Sequence, residues 1–246
     1  MENEFIEKTK SVLTDYDNDR LSPRGFDVPD FKYNQEGDHC VLIIGLNPAG
    51  DEHDAERERE NRTYLCGIDG ISRNSWVYNP YFSPILDLIN STVKGGAKWA
   101  WCNLPRVKIE QEIEDNADLH PYREKVLQFY NEHKNDKYTI YIGDMFYYHE
   151  TNSKKLPKRE DVDYHQYCKE MLELHIKVLR SLGKIVDYVY INNAEVSRWL
   201  CGNEEDKTFE RLFDTYVFYG CILSGGRMDS FSNKRLKDEI KSVLKL

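Results

Sequence analysis

The chain has 246 residues, 40% hydrophobic and 31% charged, which is enough to bury one sizeable core and favours a single domain over two. Its 34 Lys and Arg stand against 43 Asp and Glu, a formal net charge of -9, so a nucleic-acid partner has to be met by positive charge gathered locally. No apolar stretch is long enough to span a bilayer, and the opening Met-Glu-Asn-Glu-Phe lacks the basic-then-apolar layout of a signal peptide; the expectation is a cytoplasmic protein with no membrane partner.

In chain order, residues 4 to 14 predict a short helix, and the Pro- and Asp-rich stretch from Leu21 to Asp38 a surface connection. Val41-Leu42-Ile43-Ile44 is four consecutive aliphatic residues without polar alternation, the pattern of a strand buried on both faces. It stops on Gly45-Leu46-Asn47-Pro48-Ala49-Gly50, which delivers Asn47 to the end of the sheet where ligands of open α/β folds bind. Asp51 to Arg62 is almost entirely charged and reads as a solvated helix or loop. Ser83-Pro84 opens a helix through Asn90, Lys98 to Asn103 reads as a second strand before Pro105, and Ile109 to His133 is helical by composition.

Tyr138 to Glu150 is rich in aromatic residues and is followed by the basic tail Lys154-Lys155-Leu156-Pro157-Lys158-Arg159. It reads as an insertion at about residues 135 to 160, either an exposed sticky surface or, preferred here, an extension of the sheet edge packed on the body. Asp161 to Leu182 predicts a stronger helix ended by Gly183. Ile185 to Ile191 and Tyr216 to Leu223 complete the strands, the first ending on Asn192-Asn193 and the second on Ser224-Gly225-Gly226-Arg227. A lysine-rich helix from Asn233 to Leu246, apolar at Leu236, Ile240, Val243 and Leu244, closes the chain. The alternation predicts an α/β fold, a three-layer α/β/α sandwich around a central, mostly parallel four-stranded sheet. Cys40, Cys66, Cys102, Cys168, Cys201 and Cys221 are scattered without a Cys-x-x-Cys pair or metal-ligand spacing, so they read as reduced structural thiols, with no metal or cofactor expected.

Gly45-Leu46-Asn47-Pro48-Ala49-Gly50 resembles the first motif of the uracil-DNA glycosylase superfamily, closest to the mismatch-specific and single-strand-selective branches, which carry Gly-x-Asn-Pro-Gly. That superfamily places a stacking aromatic after the first motif, an amide at the end of the next strand, and a second motif, His/Asn-Pro-Ser-x-x-Ser, before the final helix. Tyr81-Phe82-Ser83, Asn103 and Ser224-Gly225-Gly226-Arg227-Met228-Asp229 fall in those places, with Ser224 where the family has histidine or asparagine and Gly225 in place of its proline. The resemblance implies a single glycosylase-like domain over residues 1 to 246, DNA as the partner, and cleavage of the N-glycosidic bond of uracil or another damaged base.

Such a reaction needs a water placed against the sugar and negative charge held on the departing base. Asn47 is the candidate to orient the water through its amide oxygen; an amide takes no proton at neutral pH, so Asp51 or His53 would assist as base. Ser224, with the backbone N–H groups of Gly225 and Gly226, would cradle the base oxygen. Asn103 would read a pyrimidine edge and Phe82 would stack on it, with Gly45, Leu46, Pro48 and Arg227 completing the substrate site. Met228 is a candidate wedge in the duplex, and Arg106, Lys108, Arg227, Lys234 and Arg235 form a basic rim, opposed by Asp51, Glu52 and Asp54. Two other readings stand beside this one: a non-catalytic module binding a nucleobase, nucleotide or nucleic acid on the same fold, and an interaction protein working through the aromatic stretch. A monomer is expected.

Overall fold

The computed structural model describes residues 2–23, 25–26, 37–60, 83–115, 117–202, 207–220 and 230–246. Within them six strands, β1 (His39–Gly45), β2 (Ala97–Trp99), β3 (Tyr138–Asp144), β4 (Ile185–Ile191), β5 (Phe209–Leu212) and β6 (Thr215–Tyr219), form one sheet in the order β2-β3-β1-β4-β6-β5. All neighbouring pairs are parallel except β5 with β6. The architecture is the three-layer α/β/α sandwich, with six strands where four were expected.

β1 lies at the centre because its apolar run serves both faces. Val41 and Ile43 enter one core; Cys40, Leu42 and Ile44 enter the other. Each of the three aliphatic residues Leu42, Ile43 and Ile44 is at most 1% exposed, a burial that stabilises by about 1.5–3 kcal/mol per side chain. The first core is covered by α3 (Ser83–Thr92), α4 (Arg106–Asp115), α5 (Arg123–His133) and α8 (Ser230–Leu244). The second is covered by α1 (Glu2–Ser11), α6 (Tyr164–Ser181) and α7 (Ala194–Cys201). The charged segment after β1 is helix α2 (Glu52–Glu60).

The start and stop signals of α6 lie in the sequence. Asp163 accepts hydrogen bonds from the N–H groups of His165 and Gln166. At the other end Gly183, at φ +75°, lets Lys184 N–H return to the Leu179 carbonyl and its own N–H to Arg180.

Several expectations are corrected. Residues 138 to 144 are not part of an insertion: β3 lies between β2 and β1, and its Thr139, Ile140 and Tyr141 are β-branched or aromatic residues buried in a two-sided strand. The aromatic stretch is likewise no exposed surface, since Tyr138, Tyr141, Phe146, Tyr147, Tyr148 and His149 are all buried. The strand expected to run from Lys98 to Asn103 ends at Trp99, and Ala100–Asn103 is a 3-10 turn that tucks Trp101 and Cys102 into the core. The helix expected from Ile109 to His133 is two, α4 and α5, separated by the 3-10 segment Ala117–Tyr122 containing Pro121. Helix α7, started by the Asn193 side chain, and hairpin strand β5 were not anticipated.

Gly143 marks a tight contact. A β-carbon there would come within 2.6 Å of the buried His175 ring and 3.2 Å of Ile44 Cδ1. Gly143→Ala is therefore expected to destabilise the fold by about 1–3 kcal/mol, as overpacked cores do. A urea midpoint equal to that of the parent chain would contradict this contact.

Candidate functional site

The carboxyl ends of β1, β3, β4 and β6 meet at one edge of the sheet. The chain leaving β1 proceeds to α3 on one face, whereas the chain leaving β4 enters α7 on the other. Strand ends that part in this way open the crevice in which α/β sheets bind ligands.

The β1 loop is zipped to the loop after β3. Phe146 N–H donates to the Leu46 carbonyl and Glu150 N–H to the Pro48 carbonyl, while Gly50 N–H donates to Thr151 Oγ1. Asn47 ties the two loops together: its Nδ2 lies 2.9 Å from the Pro48 carbonyl oxygen, 3.2 Å from that of Tyr148 and 2.7 Å from that of Glu150. Three carbonyl acceptors leave no doubt which end of the amide is nitrogen. The Asn47 oxygen therefore faces away from this tether, an acceptor held in a fixed direction at the strand end. Leu46 is buried in the second core and acts as the anchor of this loop.

Strand register places a second group of residues beside it. Gly45 pairs with Asp144 on β3, and Ile44 pairs with Ile191, so the next step sets Gly45 beside Asn192, whose N–H donates to the Ile44 carbonyl at 2.8 Å. Gly220 N–H donates in the same way to Ile191. Because side chains alternate along a strand, and Ile44, Gly143 and Ile191 face the second core, Asp144, Gly45 and Asn192 all face the first. The result is a row across three strands, carboxylate, glycine, carboxamide. A β-carbon on Gly45 would collide with Asp144 Oδ1, so the carboxylate lies over the glycine. Asn192 is 3% exposed. Neither Asp144 nor Asn192 was a sequence candidate; the available signal was that each ends a strand-like run, just as Asn47 follows one.

Of the expected site residues, Asn47, Gly45 and Pro48 lie at this edge. Lys234 and Arg235 are exposed near the start of α8, just before Leu236, which approaches Gly220; Arg235 lies 3.7 Å from Glu239. Asn103 does not lie at the edge. Its Nδ2 donates to Thr139 Oγ1 at 3.1 Å, and Thr139 pairs with Cys40 near the start of β1, five residues and about 16 Å of strand from Gly45. Arg106 follows Asn103, pairs with Glu110 at 2.8 Å and lines an open groove between α4 and α5 where Glu110, Glu124 and Glu132 outnumber Arg106 and Arg123. Asp51 accepts the His53 N–H and starts α2, and the His53 side chain is 73% exposed. Tyr81, Phe82, Ser224, Gly225, Gly226, Arg227 and Met228 lie outside the described residues.

A buried imidazole supports the row from below. His175 Nδ1–H donates to the Met171 carbonyl at 2.7 Å, which leaves Nε2 to accept from the Tyr147 hydroxyl at 2.6 Å. The same phenol oxygen lies 3.4 Å from the Asp144 N–H. Complete burial pushes the His175 pKa down to about 3, so the ring is neutral. Burial drives the thiols of Cys40, Cys102 and Cys168 well above the ordinary range, which keeps them protonated and unreactive. Among the described residues no group of three or more His, Cys, Asp or Glu is placed to hold a metal ion, and no helix is long and apolar enough to cross a membrane.

No family model and no curated protein matches this chain.

Proposed function

We propose that the chain is a glycosylase-like hydrolase that cleaves the N-glycosidic bond of uracil or another damaged base in DNA, with its site at the carboxyl edge of the sheet. The observation that carries this reading is the tethered amide of Asn47: with Nδ2 committed to three carbonyls, its oxygen is the acceptor available to orient a water. An amide holds a water without taking its proton, so the reaction is slow and depends on stabilising the departing base. Ser224 and the N–H groups of Gly225 and Gly226, a few residues beyond Gly220, are the groups proposed to hold that charge. Lys234 and Arg235 supply local positive charge for phosphates in a chain whose net charge is -9.

The test is formation of abasic sites in single-stranded and mismatched oligonucleotides carrying deoxyuridine, 5-hydroxydeoxycytidine or 3-methyldeoxyadenosine, under conditions where both proteins are folded by circular dichroism. The parent chain is expected to release at least one of these bases, and Asn47→Ala to do so about 100-fold more slowly, the low end of what positioned proton and water handling contributes. Equal rates in the two proteins, or no release by either, would contradict the proposal.

A second reading, a non-catalytic nucleobase- or nucleotide-binding module, is favoured by one observation: Asp51, the acid nearest Asn47 in sequence, is drawn into the first turn of α2. On that reading bases raise the melting temperature of the parent chain by mass action without any release.

A further inference from the structure

The basic tail Lys154-Lys155-Leu156-Pro157-Lys158-Arg159 divides in the structure into two pairs of cations, and we infer that the first pair, Lys154 and Lys155, is a contact for the phosphate backbone of a single DNA strand held at the carboxyl edge. This deepens the reading of that edge as a nucleic-acid site and rests on it. The second pair is engaged within the protein. Lys158 lies 2.5 Å from Glu195 and stands over the Trp199 ring, 5.0 Å from its centroid, and Arg159 lies 2.6 Å from Asp161. Lys154 and Lys155 are both exposed, and among the described residues no side chain pairs with either ammonium group. The carboxylates around them have cations of their own: Glu150 has Arg20 at 3.0 Å, Glu195 has Lys158 and Asp161 has Arg159. Residues 151 to 161 carry four cations against two carboxylates, Glu160 and Asp161, in a chain whose net charge is -9. That is the local gathering of positive charge by which an acidic protein can meet a phosphate backbone.

Backbone contacts place the pair beside Asn47 and hold it there. The Glu150 carbonyl accepts from Asn47 Nδ2 at 2.7 Å, and Thr151 Oγ1 accepts from Gly50 N–H at 3.2 Å. Lys154 is four residues beyond Glu150, so its backbone lies within about 14 Å of that residue, the length of about four phosphates at about 3.4 Å each along one strand. The 3-10 turn Ser153–Lys155 that carries both lysines is started by the Asn152 side chain, which accepts the Lys154 N–H at 3.2 Å. After the turn Leu156 is buried in the second core, and the Pro157 carbonyl accepts from Thr14 N–H at 2.7 Å. A turn fixed at both ends needs no ordering of its backbone when a ligand arrives, which removes one of the costs of binding. Lysine meets phosphate as a point charge, so the contact positions the strand and reads no base.

The experiment is fluorescence anisotropy of a labelled, undamaged oligothymidylate of about 20 nucleotides, titrated with each protein between about 25 and 200 mM salt, the range over which phosphate contacts declare themselves. The proteins are the parent chain, Lys154→Gln/Lys155→Gln, Lys154→Arg/Lys155→Arg and Lys94→Gln, each checked for folding by circular dichroism. Loss of two phosphate contacts is expected to weaken binding about tenfold or more at the low-salt end and to make the slope of log K against log [salt] shallower by about 1.4, about 0.7 for each contact on a single strand. The arginine variant keeps both charges and is expected to match the parent. Lys94 is an exposed lysine before β2, at the amino end of the sheet, and its removal is expected to leave the slope unchanged. A slope unmoved in the double glutamine variant, an equal change in Lys94→Gln, or a parent chain that ignores the strand while binding phosphatidylserine vesicles or nothing at all overturns the inference. Its failure is distinct from that of the hydrolase proposal, because the strand carries no damaged base: base release unaffected by the double glutamine variant sustains the hydrolase and refutes the contact, whereas salt-dependent binding through Lys154 and Lys155 without release by any of the proteins does the reverse.

Discussion

Acidification from pH 6.5 to pH 4 is expected to cost the native protein about 3 kcal/mol through the single imidazole of His175. Its ordinary pKa of 6.5 applies to the unfolded chain, and burial lowers it to about 3 in the folded one. Below pH 6.5 the unfolded chain takes up a proton that the native chain refuses, so stability is fully present above that pH and falls by about 1.4 kcal/mol per pH unit until the native ring titrates. The refusal has a structural cause. Phe5 and Phe26 each stand 4.7 Å from the ring, the Met171 carbonyl takes the one N–H, and Nε2 accepts from Tyr147. Urea titrations at pH 7, 5.5 and 4 on the parent chain and His175→Gln separate this imidazole from the carboxylates. The variant is expected to be weaker at pH 7 yet to lose that slope; an identical slope in both proteins would show that the imidazole is not the source.

The second large effect is at Asn47. Asn47→Ala removes the N–H groups that bridge three carbonyls and is expected to cost about 2 kcal/mol, one to two net hydrogen bonds together with carbonyls left poorly paired. Asn47→Asp is expected to cost about twice as much. It has nearly the same shape, but points a carboxylate oxygen at three carbonyl oxygens in a half-buried turn, where repulsion and lost solvation add. The side chain that would be a better proton acceptor is thus the one this loop cannot hold. Chemical denaturation of the three proteins, with hydrogen exchange of the residue 145 to 151 loop, checks the order; Asn47→Asp as stable as the parent would mean that the amide does not anchor the loop.

What was legible in the sequence follows from local physics. Four consecutive aliphatics identify β1 because only a two-sided strand buries them all, and α6 is bounded by a glycine whose left-handed conformation ends it. β3 reads as part of an insertion at the sheet edge because its run is aromatic and leads on to the basic tail Lys154 to Arg159. In the sheet its tyrosine rings are buried: Tyr138 lies 5.4 Å from Tyr188 of β4, and Tyr141 is 3% exposed. Asn103 resembles Asn47 as an asparagine before a proline-marked turn, but β2 is only three residues long and starts near the beginning of β3, so its turn falls at the other half of the sheet. The Asp144–Gly45–Asn192 row could not be read at all. It is a property of register, of which residue of one strand lies beside which of another, and no local pattern encodes that pairing.

The most direct test is a crystal structure of the parent chain with a nucleobase bound. The base is expected at the carboxyl edge of the sheet, with the Asn47 oxygen turned toward the ligand side. A base bound elsewhere, or the carboxyl edge closed by side chains with no room above Gly45, would contradict it.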